Sequence, residues 1–283
     1  MKIAILADIH ANFIALQTVA EHVARWQPDR VIVAGDIVNR GPRSRDCLEF
    51  IQHKQQTEDW LVVKGNHEDY VISFDRPETT PQGVLFDIFQ VANWSYQQLN
   101  GHVKALRAMP FQVSVAGPAG GELRVVHASM LSNRNGIFPN TSEAHLRKKI
   151  EPPPAVMGVG HTHIPLVRTI DNTLVVNAGA VGLPFDGDPR ASYAQVQWQA
   201  GGWSAEIVRL EYDRRRAEQD FFDTGFMADG GPLAQLILDE LRTAQSRLYQ
   251  WTVEYQQATI NGNISIADAV DNFLRKTHGL VLK

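Results

Sequence analysis

Ile3-Ala-Ile-Leu-Ala-Asp-Ile-His10 is an apolar run that stops on a carboxylate and an imidazole, and the same arrangement recurs along the chain. Val31 to Ala34 runs into Gly35-Asp36, Leu61 to Val63 into Gly65-Asn66-His67-Glu68, and Leu123 to Val126 into His127. Ala155 to Val159 runs into Gly160-His161-Thr162-His163, and Leu174 to Val176 into Asn177. Each run is brief, rich in Val and Ile, and closed by Gly or polar residues, which is how a buried strand reads. Every residue able to grip a metal or a phosphate therefore follows the carboxyl end of a predicted strand. Open α/β sheets bind ligands in the crevice at those ends, so loops far apart in sequence converge on one place.

Between the strands the apolar spacing turns helical, which predicts a layered α/β architecture around a β-sheet core. Ala11 to Trp26, ending before Pro28, and Ser44 to about Gln55, with Ser44 as N-cap, read as crossover helices. Asp8 and Asp36 have a second reading as N-caps of the helices that follow, which is compatible with metal ligation. Val84, Ile88, Val91, Leu99, Val103 and Leu106 mark one or two helices inserted over about residues 81–109, placed to roof the site. Pro152-Pro-Pro154 stiffens the approach to the strand before His161 rather than dividing domains.

From about Tyr212 the composition shifts. Residues 1–210 are expected to form the catalytic domain, and 211–283 a helical extension packed on it. Pro232 opens a predicted helix with Leu233, Ile237, Leu241, Ala244, Leu248, Trp251 and Tyr255 in one stripe. That stripe suits packing on the catalytic domain, a homo-oligomer contact, or a lid. Ser265 and Asp268 start a last helix that stops near Gly279.

The residue types point to phosphoester chemistry. Two divalent ions roughly 3.5–4 Å apart clamp a phosphoryl oxygen and acidify a shared water into a hydroxide nucleophile. A set dominated by imidazole, with two carboxylates, suits borderline ions, Mn foremost, with Fe, Zn, Co, Ni or Mg as alternatives. Two such ions, the charges of Asp8 and Asp36 and one bridging hydroxide leave a site of about +1, which attracts a phosphate ester.

The order Asp-x-His, Gly-Asp, Gly-Asn-His-Glu, a lone His after a strand, and Gly-His-x-His resembles the calcineurin-like metallophosphoesterase superfamily, from Met1 to about Leu210. The stretch from Asn177 to Tyr193 is similar to its small bacterial and archaeal phosphodiesterase branch. The resemblance implies an αββα sandwich in which Asp8, His10 and His163 hold one metal, Asn66, His127 and His161 hold the other, and Asp36 bridges them. It implies that His67 stays off the metals as a general acid or phosphate contact. All these positions are filled, so an active enzyme is expected, with a metal-bridging hydroxide attacking a phosphodiester. Alternatives are a symmetrical dinucleoside polyphosphate hydrolase or a phosphomonoesterase. A non-catalytic scaffold is disfavoured, because the ligand set is intact.

Arg40, in Gly35-Asp-Ile-Val-Asn-Arg-Gly-Pro42, resembles the Gly-Asp-x-x-x-Arg-Gly signature of phosphoprotein phosphatases and symmetrical dinucleoside tetraphosphatases. The resemblance implies a substrate-binding guanidinium, the alternative being a solvated loop charge. Asn39 stands where the phosphoprotein phosphatases have Asp, and His127-Ala-Ser replaces their His-Gly-Gly, which weakens a protein phosphatase reading. Arg43, Arg45, Arg134 and Arg190 also fall in predicted loops or loop edges, as further candidates for substrate contact or as ordinary solvated surface cations. His22, His53, His102, His145 and His278 read as ordinary core or surface side chains.

At 283 residues the chain has room for one α/β domain and a modest addition. A net charge of -4 and a pI near 6.2 argue against broad nucleic-acid binding, and the expected partner is a phosphorylated small molecule or nucleotide. The short apolar run before Asp8 reads as a strand, not a leader or membrane span. A single cysteine, Cys47, fits a reducing cytoplasm and a packing role.

Overall fold

The computed structural model describes residues 1–279. Strands β1 (Lys2–Leu6), β2 (Arg30–Val33) and β3 (Leu61–Val62) pair in parallel. Strands β4 (Gln112–Ala116), β5 (Glu122–Val126), β6 (Val156–Val159), β7 (Leu166–Ile170) and β8 (Thr173–Asn177) form a second sheet in the order β4-β5-β6-β8-β7, its central three strands parallel. Strands β9 (Ala191–Gln199) and β10 (Gly202–Leu210) return to the first sheet, whose order is β10-β9-β1-β2-β3. The six expected strands are present. The antiparallel strands β4, β7, β9 and β10 end on no metal-binding motif and went unread.

Strand alternation explains the layering. Ile3 and Ile5 face the second sheet, where they meet Val125, Val156 and Val176. Ala4 and Leu6 face the opposite way, against helices α1 (Phe13–Trp26) and α2 (Ser44–Glu58) through Leu16, Val19 and Ile51. Helices α3 (Asn66–Ile72), α4 (Val84–Ile88), α5 (Gln90–Gln98) and α6 (Lys104–Ala108) follow β3. Helix α7 (Glu143–Ile150) covers the outer face of the second sheet through Leu146 and Ile150. The result is an αββα sandwich. Burying each Val, Leu or Ile stabilises it by about 1.5–3 kcal/mol.

Helices α8 (Arg214–Asp223), α9 (Phe226–Asp229), α10 (Ala234–Thr243), α11 (Arg247–Ile260) and α12 (Ile266–Thr277) complete the described chain. Their core joins Phe226, Ile237 and Trp251 to Val91 of α5 and Leu183. Residues 280–283 of the expected extension lie outside the described residues. No helix among the described residues is long and apolar enough to cross a membrane.

Several local readings change. The helix expected from Pro232 through Tyr255 is two, because Ala244 turns left-handed at φ 52°. The buried Glu240 carboxylate accepts the Leu248 N–H at 2.8 Å and thereby begins α11, a connection invisible to periodicity. The segment 81–109 holds three helices, α4 to α6, not one or two. Ser44 is the first helical residue of α2 rather than its cap. Its hydroxyl accepts from the Asn39 N–H at 3.1 Å and bonds Ser95 Oγ at 2.9 Å. Asn12, not Asp8, caps α1 through the Ala15 N–H, and the N-cap position of α2 is Arg43, not Asp36.

The loops at the strand ends are held by one carboxylate. Glu68, fully buried in α3, accepts backbone N–H groups from Asp36 (2.9 Å) and Gly65 (2.8 Å) on Oε2, and from Ile37 (2.8 Å) and Val38 (3.3 Å) on Oε1. It thus clamps the turn after β2 to the turn after β3. Gly65 has no room for a side chain, since a Cβ there would collide with Asp36 Oδ1. Glu68→Gln would aim an amide NH2 at N–H donors. We expect it to lower stability by at least about 1.5–3 kcal/mol, the worth of a hydrogen bond to a charged group. An unaltered urea-unfolding midpoint would contradict the clamp.

Candidate metal centre

Asp8, His10, Asp36, Asn39, Arg40, His161 and His163 all lie in the left-handed region, with φ between 47° and 70°. Each such residue costs about 1–2 kcal/mol. The strain is tolerated because the turns are cross-bonded. The Asp8 N–H donates to Gly35 O (3.2 Å), His10 N–H to Asp36 O (2.9 Å), Gly182 N–H to Asp8 O (3.0 Å) and Phe185 N–H to His163 O (3.2 Å). The left-handed turns swing the side chains off the strand ends into one buried cluster.

Within that cluster the two aspartates are used alike. Asp8 Oδ2 accepts the His161 N–H at 2.8 Å, and Asp36 Oδ1 accepts the His67 N–H at 2.9 Å. Their other oxygens, Asp8 Oδ1 and Asp36 Oδ2, are buried with no hydrogen-bond partner. Asp8 Oδ1 stands 3.4 Å from His163 Nε2 and 3.9 Å from His10 Nε2. Asp36 Oδ2 stands 3.6 Å from His10 Nε2 and 3.3 Å from His127 Nε2. Two groups emerge, Asp8, His10, Asp36 and His163 on one side and Asp36, His127 and His161 on the other, with Asp36 common to both. Asn66 Oδ1 joins the second group, 2.8 Å from His161 Nδ1 and 3.0 Å from His127 Nε2.

The ring orientations fit metal ions. His127 Nδ1 donates to Ala34 O at 2.7 Å, and His163 Nδ1 donates to Leu183 O. His10 Nδ1 faces Asn39 O at 3.3 Å. These carbonyls take the Nδ1 protons and turn Nε2 inward, as a lone pair on His10 and His163 and, on His127, as a lone pair once its second proton has left. His10 Nε2 and His163 Nε2 then lie 3.1 Å apart, lone pair towards lone pair. Orphaned carboxylate oxygens among converging lone pairs are an arrangement that a cation relieves, and the mixed imidazole and carboxylate donors suit borderline divalent ions.

Electrostatics agree. Burial holds His10 and His163 well below the usual imidazole range and lowers His161 to about 4, so all three are neutral at pH 7. Burial also opposes a charge on His127, but Asp36 overrides it and lifts His127 to about 10. Burial likewise acts to raise Asp36, yet His127 and His67 hold its carboxyl well below the usual range. Asp8 is pushed up, chiefly by burial.

His67 sits beside the cluster, its ring edge-on to His10 at 4.8 Å and to Tyr70 at 5.1 Å. Asn39 Oδ1 accepts the Arg40 N–H at 2.8 Å, which turns the amide nitrogen towards His67 Nδ1 at 2.9 Å. Nδ1 is therefore an acceptor, and Nε2 carries the proton. Burial first, then the Arg40 charge, outweigh the pull of Asp36 and lower His67 to about 3.

Arg40 is not a solvated loop charge. Nη2 donates to both oxygens of the fully buried Glu240, at 2.9 and 2.8 Å, and the guanidinium lies 5.4 Å from the Phe185 ring. Arg43 is paired with Asp220 and Asp46, Arg190 with Asp188, and Arg45 Nε donates to Gln98 O. Arg134 lies 5.2 Å over the Tyr70 ring beside the cluster. Asn177 grips neither metal nor phosphate. Its amide donates to Gly160 O (2.8 Å) and Thr162 Oγ1 (2.9 Å) and so braces the 160–163 loop. Glu68 and Glu240 were the residues whose part the sequence concealed. Glu68 at least stands in the Gly-Asn-His-Glu motif, three residues past Gly65, where an acid reaches back to a helix start. Glu240 carried no such signal.

Comparison with known proteins places this geometry in a family. Residues 1–201 match the calcineurin-like phosphoesterase superfamily domain. An uncharacterised protein of Methanocaldococcus jannaschii is 26% identical over 233 residues, covering 76% of this chain and 89% of its own. A symmetrical bis(5'-nucleosyl)-tetraphosphatase of Vibrio parahaemolyticus is 31% identical over 103 residues, 33% of this chain and 38% of its own. The crystal structure of a metallophosphoesterase from Sphaerobacter thermophilus superposes with a TM-score of 0.65 at 25% identity, covering 86% of this chain and 100% of that one. A hypothetical protein from Pyrococcus horikoshii reaches a TM-score of 0.72 at 18% identity, covering 87% and 99%. Cross-bonded turns, orphaned carboxylate oxygens and a sequence match over most of its length agree: this chain belongs to the calcineurin-like phosphoesterase superfamily.

Proposed function

We propose that the chain is a two-metal phosphodiesterase. The observation that carries this reading is the pair of buried, unpartnered oxygens, Asp8 Oδ1 and Asp36 Oδ2, enclosed by imidazole nitrogens. Asp8, His10 and His163 would hold one ion, Asn66, His127 and His161 the other, and Asp36 would face both, with Mn the foremost of the borderline ions. When bound, such ions supply Lewis acidity at the phosphoryl oxygens and a water acidic enough to attack in line.

The remaining steps fall to side chains. His67, neutral and protonated on Nε2, donates a hydrogen bond to the leaving ester oxygen as charge develops there. The Asn39 amide holds that tautomer. Glu68 keeps the Asp36 turn from relaxing when the substrate binds. No side chain is phosphorylated in this scheme.

A diester is favoured over a monoester or polyphosphate by charge. The guanidinium best placed to balance additional phosphate charge, Arg40, is already neutralised by Glu240, so the site suits a singly charged phosphate. The local similarity to a dinucleoside tetraphosphatase keeps that substrate as the comparison.

The test is hydrolysis of bis(4-nitrophenyl) phosphate, 4-nitrophenyl phosphate and diadenosine tetraphosphate by stripped and Mn-loaded protein. We expect the diester to be preferred and chelation to abolish turnover; preference for the dinucleotide would replace this reading. His67→Ala should keep the metal content and lower kcat by about 10²–10³, as for loss of one preorganised donor, whereas Asp36→Ala should lose metal and activity together. Normal metal content and turnover in Asp36→Ala would remove its bridging role.

Metal loading should also release protons near pH 7. His127, lifted to about 10, is protonated before binding and must be neutral to ligate, so affinity should rise with pH until that proton is gone. Calorimetry in buffers of different ionisation enthalpy reads the release directly. Arg40→Ala, which strands a buried carboxylate, should cost about 3–5 kcal/mol in urea unfolding; an unchanged midpoint would return Arg40 to the substrate.

A further inference from the structure

Beside the cluster, at His67, lies a cavity of about 320 Å³, near the lower end of small-molecule pockets, roughly 300–1,000 Å³. Its mouth is formed by Asn39, Arg40 and His67, and its walls include Tyr70 and Phe89 on one side and Ile237, Leu248, Tyr249 and Trp251 on the other. A ladder of rings leads outward, from His10 to His67, then Tyr70 at 5.1 Å and Phe89 at 5.3 Å. Among the described residues no carboxylate and no lysine lines the cavity, and Arg40 is paired with Glu240. Trp251 and Arg40 of the lining keep their Nε1–H and Nε–H buried away from the cavity surface.

We infer that this cavity receives the leaving alcohol of the substrate as an uncharged, planar aromatic group. The inference rests on the hydrolase reading above and names its substrate class. Apolar and aromatic walls favour a flat ring over a polyphosphate chain, which would enter a space with no unpaired guanidinium. Position assigns the group: the cavity begins at His67, which faces the leaving oxygen. The α10 and α11 walls lie beyond residue 201, where the family match ends.

The test uses the full chain loaded with Mn. Thr252→Trp, at a partly exposed position of α11 on the cavity wall, should raise KM for bis(4-nitrophenyl) phosphate at least tenfold. The inhibition constant of inorganic phosphate, which needs only the metal centre, should stay within twofold. Tyr249→Ala, at an exposed position and safe for folding, should raise the same KM at least threefold. Unchanged KM in both variants overturns the assignment, and so does a parallel rise in the phosphate constant, since the wall would then act through the metals.

Absence of turnover by the parent protein with any metal would count against the hydrolase reading alone. The cavity is then decided by tryptophan fluorescence of stripped protein titrated with bis(4-nitrophenyl) phosphate. Saturable quenching that is lost in Trp251→Phe supports it, and no quenching overturns it.

Discussion

The structure turns on how two buried aspartates divide their oxygens. Asp8 and Asp36 each give one oxygen to a backbone N–H of a facing turn and keep the other unpartnered in the interior. A buried carboxylate oxygen without a partner is costly. It persists because strained left-handed turns on both sheets oppose each other through backbone bonds, and those turns are anchored in strands whose faces are fully buried. The sandwich is therefore the support that keeps lone pairs converging on a cation site.

Carboxylates and amides away from the cluster set its geometry. Glu68 accepts backbone N–H groups from two turns, Asn177 braces the 160–163 loop, and Asn39 sets the tautomer of His67. Asn39 is the most informative of these. A carboxylate in its place would accept the Nδ1 proton and favour an imidazolium; an amide nitrogen donates instead and leaves a neutral ring with its proton on Nε2. One atom's change in hydrogen-bond sense thus turns a proton source into a fixed donor.

The C-terminal helices tie into the centre through Arg40 and Glu240. A buried pair of this kind is weak evidence for net stability, but loss of one partner strands a charge, so it holds α10 in place. Glu240 also accepts the Leu248 N–H, and one carboxylate therefore neutralises a site arginine and starts the helix that walls the cavity.

The sequence alone determined the core strands, a layered α/β class and the grouping of aspartates, asparagine and histidines at strand ends, and its motifs implied the αββα sandwich through their family resemblance. Buried strands and motif spacing are local properties, and left-handed Asp and His turns follow directly on those strands. The antiparallel strands β4, β7, β9 and β10, the break at Ala244 and the capture of Arg40 by Glu240 were decided by tertiary structure. The edge strands β4, β7 and β10 have mixed burial, the internal β9 ends on no metal-binding motif, a helix periodicity runs unbroken across a left-handed residue, and a partner 200 residues away leaves no local mark. Asn177 shows the same limit from the other side: it ends a strand like a ligand, yet only its neighbours in space reveal that its amide nitrogen is spent on the 160–163 loop and its oxygen on the Gly179 N–H.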